Sequence, residues 1–196
     1  MRKTFFKTVR TLLLLICAAV IAQPAAAQTK AQDKEDNVKK VLVVYYSKSG
    51  NTREIAKHIQ NETNADIFEI ETVTPYPEDY NTATKQAKEE INRGYKPPIK
   101  NKVSNIDEYD IIFVGSPNWW STIAPPVSTF LSEHNLSGKT VVPFCTHGGS
   151  GISKCASDTA KLAPDSTVLE AAAFSGYGAK NARKEVADWI KKIGVK

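Results

Sequence analysis

Between Val41 and Ile193, short apolar runs alternate with stretches whose apolar residues recur every three or four positions. The runs at 41–46, 67–70, 111–115, 140–145 and 168–173 are rich in Val, Ile and Phe, and Gly, Pro, Ser or charged residues bound them. Runs that are apolar on both faces predict strands covered on both sides, as in a parallel sheet. The stretches at 52–62, 78–93, 125–134, 153–162 and 180–193 predict helices. The last carries Ala182, Val186, Ala187, Ile190 and Ile193 at helical spacing, with Lys and Arg outside. Five strands alternating with five helices predict a doubly wound α/β fold with right-handed crossovers. Residues 72–82, with Pro75-Tyr76-Pro77, and 94–106, with Pro97-Pro98, predict a longer excursion that wraps the helix at 78–93.

The chain ahead of this pattern reads differently. Arg2, Lys3, Lys7 and Arg10 form a basic start, and Leu12 to Ala22 is an unbroken apolar run ending near Ala25-Ala26-Ala27. That order predicts a secretory signal peptide over 1–27, cut before Gln28. The run is too short for a stable membrane span, so no lasting membrane insertion is expected once it is removed. Ile16 is too bulky for the position before a lipidated Cys17, and Lys3 stands where a twin-arginine signal needs its second Arg, which favours the Sec route. Residues 28–39 are polar without period and predict a flexible leader, leaving 40–196 as one domain.

Removing the signal changes the charge. The 26 basic and 21 acidic residues of the whole chain give +5, but four of the basic ones lie in 1–27, leaving 22 against 21. A nearly neutral domain without clustered Lys and Arg does not predict a nucleic-acid partner. Cys145 and Cys155 remain, spaced for neither a C-x-x-C redox pair nor a zinc site. An exported disulfide, and a buried Cys145 on a strand with an unrelated Cys155, both stay open.

In a doubly wound sheet, ligands sit beyond the carboxyl ends of the strands, which selects the loops at 47–52, 116–124 and 146–152. Ser47-Lys48-Ser49-Gly50-Asn51-Thr52 links a strand to a helix. Free N–H groups and the helix dipole make that junction an anion cradle, and small side chains let a phosphate approach. The same residues could instead only cap the helix. The second loop, Ser116-Pro117-Asn118-Trp119-Trp120, places two indoles together, suited either to stacking on a flat ligand or to anchoring the loop. The third, Thr146-His147-Gly148-Gly149-Ser150-Gly151, exposes backbone donors to a ligand edge. His147 is placed to donate a hydrogen bond, to shuttle a proton or to cap the following helix, whereas His58 and His134 read as surface residues. A hydrolase elbow at Ser150 needs Gly at 152, where the chain has Ile152, and paired carboxylates are missing from all three loops.

Taken together, these residues resemble the flavodoxin family. Ser47-Lys48-Ser49-Gly50-Asn51-Thr52 looks like the family's FMN phosphate loop. Pro117-Asn118-Trp119-Trp120 and Phe144-Cys145-Thr146-His147-Gly148-Gly149-Ser150-Gly151 look like a bacterial, exported flavodoxin-like branch. The resemblance, over about 40–195, implies a five-stranded parallel sheet of order 2-1-3-4-5 with helices on both faces, and FMN as cofactor. It implies that Ser47, Ser49, Gly50, Asn51 and Thr52 bind the phosphate; Lys48 takes the motif's variable place. It also implies that Ser116, Pro117, Asn118, Trp119 and Trp120 pack one side of the ring, and that Thr146, His147, Gly148 and Gly149 meet its other side and pyrimidine edge. The expected role is electron transfer outside the cytoplasm, with redox proteins or a small-molecule acceptor as partners. An FMN-dependent NAD(P)H or quinone reductase and a cofactor-free binding module are the alternatives. Export and near-neutrality depart from the acidic, cytoplasmic members of the family.

Overall fold

A computed structural model describes residues 39–196; the predicted signal peptide and the leader up to residue 38 lie outside the described residues. Strand β1 (Val41–Tyr45) leads through the first loop into α1 (Asn51–Thr63), and β2 (Asp66–Glu69) leads through the excursion into α2 (Tyr80–Asn92). Next come β3 (Ile111–Trp119), the short β4 (Thr122–Ile123), α3 (Pro125–Glu133), β5 (Thr140–His147) and α4 (Cys155–Leu162). The chain ends with β6 (Thr167–Val168), β7 (Ala172–Ser175), a 3₁₀ segment at Gly176–Asn181 and α5 (Arg183–Lys192). The parallel order is β2-β1-β3-β5, with β6 and β7 both on the outer side of β5 and β4 folded back antiparallel on β3. Counting the β6–β7 edge as one strand and setting β4 aside, this is the expected 2-1-3-4-5 sheet.

Alternation along the strands builds the two cores. On β1, Leu42 and Val44 point to one face, where Ile112, Val114, Val127 and Phe130 bury them. Val43 and Tyr45 point to the other, against Ile55, Ile59, Phe113, Val186 and Ile190. A strand whose successive side chains enter opposite apolar layers must read as a continuous apolar run. The helices follow from equally local signals. Asp79 accepts a 2.8 Å hydrogen bond from the Thr82 N–H and caps α2. Two prolines at Pro125–Pro126 open α3.

Several predicted boundaries are corrected. The strand at 111–115 continues to Trp119, because Ser116 and Pro117 keep pairing with Cys145 and Thr146 and the chain then turns back as a hairpin. Likewise 140–145 extends to His147. The run at 168–173 splits in two, since the Glu170 carbonyl turns out of the ladder to accept from the Trp189 indole N–H at 3.1 Å. The last helix begins at Arg183 rather than 180, after the 3₁₀ segment. The excursion closes at its base, where Val73 N–H donates to the Pro98 carbonyl at 2.9 Å and Lys100 N–H to that of Glu71 at 2.8 Å.

Tyr45, Tyr46 and Tyr76 are buried, and burial is the first cause that pushes all three phenols well above their ordinary range. Neighbouring Glu69 (for Tyr45) and Glu90 (for Tyr46 and Tyr76) push in the same direction. Below pH about 10 these phenols are neutral folded and unfolded, so their contribution to stability is complete. As the pH rises further, the unfolded chain releases protons that the folded phenols retain, and stability falls. In a phenolate absorbance titration, Tyr45, Tyr46 and Tyr76 should therefore ionise only as the fold is lost. Reversible ionisation of all seven tyrosines with the fold intact would contradict this.

Candidate functional site

The first loop joins β1 to α1 with Gly50 at φ 91° in the N-cap position, where it has no side chain to cap the helix. Arg53 N–H reaches the Ser47 hydroxyl at 3.3 Å and Glu54 N–H the Gly50 carbonyl at 3.0 Å. Among the described residues, the Asn51 and Thr52 N–H groups find no acceptor, so two donors of the first turn are left for an anion. Arg53 does not compete for that role, because it forms an ion pair with Glu69, which Tyr45 also engages at 2.9 Å. Thr52 is buried, and its hydroxyl lies 2.8 Å from the hydroxyl of buried Thr146, which fixes the first loop against the third.

The second loop is a hairpin tip. Ser116 is buried; its hydroxyl accepts from the Ala124 N–H at 2.8 Å and so frames the hairpin from inside. Trp119 turns inward, edge-on to Tyr46 at 5.6 Å and Tyr76 at 5.0 Å between ring centres. Trp120 turns outward and is half exposed, with its indole N–H on the Thr84 carbonyl at 3.0 Å and the Lys88 ammonium 4.5 Å from its ring centre. One indole therefore anchors the loop while the other faces solvent. A cleft of about 250 Å³ opens between Lys48 of the first loop and Asn118, Trp119 and Trp120 of the second, floored by Tyr80 and Ala83 of α2.

Asn118 couples the second loop to the third. Its amide N–H₂ faces the Gly151 carbonyl at 2.8 Å and the Ser150 and Ser153 hydroxyls at 3.0 and 3.1 Å. The carbonyl can only accept, which fixes the amide's orientation. Its oxygen Oδ1 then points the other way, buried and without a partner among the described residues. A buried acceptor left unpaired costs about 1–3 kcal/mol, and a ligand donor would remove that cost. In the third loop Gly148, Gly149 and Ser150 are exposed, and His147 Nδ1 accepts from the Gly149 N–H at 2.9 Å. The imidazole thus ties its own loop and keeps its proton on Nε2.

A fourth segment belongs to the site. Gly176 lies so close to the first loop that a Cβ there would stand 2.6 Å from Asn51 Nδ2, and exposed Tyr177 borders Gly148. Sequence reasoning did not single it out. The signal was available: Ser175-Gly176-Tyr177-Gly178 follows the last strand, where the carboxyl-end rule also applies. His58 binds the Ala179 carbonyl at 3.1 Å and steadies this segment, while His134 accepts from Val103 N–H at 3.2 Å; both are structural. Cys145 and Cys155 are buried free thiols; Cys145 Sγ–H faces the Gly151 carbonyl at 3.7 Å, and the neighbouring Cys145 thiol together with burial pushes the Cys155 thiol up.

Comparison with known proteins identifies the family. No curated protein matches the chain. A candidate flavoprotein from Bacteroides eggerthii is 34% identical with a TM-score of 0.72, covering 81% of this chain and 99% of its own. One from Bacteroides uniformis is 28% identical with a TM-score of 0.70, covering 78% and 98%. A Lactobacillus acidophilus flavoprotein in complex with FMN is 26% identical with a TM-score of 0.59, covering 73% and 97%. The family model described as flavodoxin matches residues 40–193, so the chain belongs to the flavodoxin family.

Proposed function

We propose that this protein binds FMN and carries electrons between partners outside the cytoplasm. The observation that carries this reading is the meeting of four loops at the carboxyl edge of the sheet. There the open N–H groups of Asn51 and Thr52 and the unpartnered Asn118 oxygen offer complementary chemistry. The residues fit the cofactor: a phosphate suits the two donors, and a ring N–H suits the buried acceptor. The FMN held by the Lactobacillus acidophilus relative supports the same assignment. When bound, FMN supplies the redox chemistry.

The chain's own residues set the conditions. Ser47, Ser49, Gly50, Asn51 and Thr52 would hold the phosphate, and the Thr52–Thr146 hydrogen bond keeps that cradle in register with the ring loops. Exposed Gly148 would offer its backbone N–H to the pyrimidine edge, beside Gly149, whose own N–H is held by His147 Nδ1. Trp119 and Trp120 would wall the ring from water and disfavour added negative charge on it. Replacing both by Ala should therefore raise the FMN reduction potential in a potentiometric titration; an unchanged potential would remove this role. The apolar, basic-flanked residues 1–27 support export, and the mass of the processed protein should place its new terminus at Gln28.

A turnover reading on the same cofactor is favoured by one observation, a second and larger cleft beside Trp120. Steady-state NAD(P)H oxidation with a quinone acceptor separates the two. A carrier gives no turnover beyond that of free FMN, whereas a reductase does.

A further inference from the structure

The tip of the β3–β4 hairpin is unusual in its residues. Trp120 and Ser121 both take positive φ, 52° and 68°. Two-residue hairpin turns of that kind favour Asn-Gly, and holding a bulky residue there costs on the order of 1 kcal/mol or more. Trp120 does not recover this by burial, since it stays 52% exposed. Its side chain is held instead, by Thr84 on one edge and Lys88 over the ring. The indole is thereby the shared wall of two clefts: the one opening toward Lys48, and a second of about 430 Å³ among the C-terminal end of α2, β4, α3 and α4.

The second cleft has its own chemistry. Tyr95, Trp120, Ile123 and Leu162 give it apolar and aromatic walls, and Lys96 and Lys154 stand at it. Neither lysine has a carboxylate within ion-pairing distance among the described residues. The acidic group that lines it, Asp158, is already engaged by the Thr122 hydroxyl at 2.6 Å and by Lys161 at 2.9 Å. The cleft is therefore apolar in body and cationic in excess. Its volume falls in the range of small-molecule sites, about 300–1,000 Å³.

We propose that this cleft binds a planar aromatic anion, an arene or quinone carrying a carboxylate or sulfonate. The ring would lie against Trp120, Tyr95 and Leu162, and the anionic group would be held by Lys96 and Lys154. Binding itself does not depend on the cofactor; only the assignment of such a molecule as an electron acceptor or donor rests on the reading above. The proposal is tested by calorimetric titration of the purified chain, with and without FMN, using naphthalene-2-sulfonate and its neutral counterpart naphthalene-2-methanol. One site is expected, with the sulfonate bound about tenfold more tightly than the alcohol, and a preference that shrinks as salt is raised. The double variant Lys96→Met/Lys154→Met changes two exposed side chains. It should lose that preference while its FMN titration stays unchanged. Equal affinity for the two probes, an unaltered preference in the double variant, or no binding at about 5 mM sulfonate would each overturn the proposal. Sulfonate binding that persists in a chain unable to take FMN would sink the flavin reading and leave the cleft standing; the reverse outcome would sink the cleft alone.

Discussion

Replacing Gly115 with Ala should destabilise the domain by about 3 kcal/mol, a fall of roughly 10 °C in Tm. Gly115 lies in the middle of β3 directly opposite Phe144 of β5, and the Phe144 ring lies across it. A Cβ at 115 would stand 2.2, 2.6 and 2.8 Å from three atoms of that ring. Phe144 is itself 1% exposed and is packed into the α1–α5 side of the core, so the ring has nowhere to go without moving its neighbours. Interiors packed to crystal density do not absorb a methyl group at such distances. Denaturant unfolding measures the loss. The double variant Gly115→Ala/Phe144→Leu should recover part of it, because the smaller side chain relieves the clash. Strict additivity of the two substitutions would show that the ring is not the obstacle.

The largest effect on binding is expected from Gly176→Ala. Here the obstacle is the end of a side chain: the new Cβ would meet Asn51 Nδ2 at 2.6 Å, with the His147 carbonyl at 3.5 Å. The Asn51 amide can rotate away at little cost to the fold, so the change in Tm should be small. Rotation, however, moves a residue of the phosphate cradle. FMN affinity should fall about tenfold, a loss of about 1.4 kcal/mol, while riboflavin, which lacks the phosphate, should be held as before. Equal losses for the two flavins would assign the effect to the ring loops instead. Together the two glycines separate a close approach that supports the sheet from one that supports the site.

Much of this arrangement was legible in the sequence for a physical reason. Strands buried on both faces cannot hide their apolar runs, and helices packed on such a sheet cannot hide their period. β1 through α5 were therefore readable in order, and the carboxyl-end rule then pointed to three loops that the fold does bring together. The boundaries failed where tertiary pairing overrides local signal. Pro117 sits inside a strand that its sequence appearance would end, and Trp120-Ser121 makes a turn without turn residues. Glu170 leaves the ladder because the Trp189 indole claims its carbonyl, a contact that spans 19 positions in the chain. The opposite orientations of Trp119 and Trp120 were equally unreadable, since they depend on Tyr46, Tyr76 and Thr84, which are distant in sequence. The fourth segment, Gly176-Tyr177, carries a legible signal, since it follows the last strand at the same carboxyl edge.

If the loop at 47–52 is an FMN phosphate site completed by the loops around it, the phosphate itself must contribute to affinity. Titration of the purified chain with FMN and with riboflavin, followed by quenching of flavin fluorescence, tests it most directly. One flavin per chain is expected, with FMN bound at micromolar concentration or below and riboflavin at least about tenfold more weakly. No FMN binding at micromolar concentration, or equal affinity for the two flavins, would contradict it.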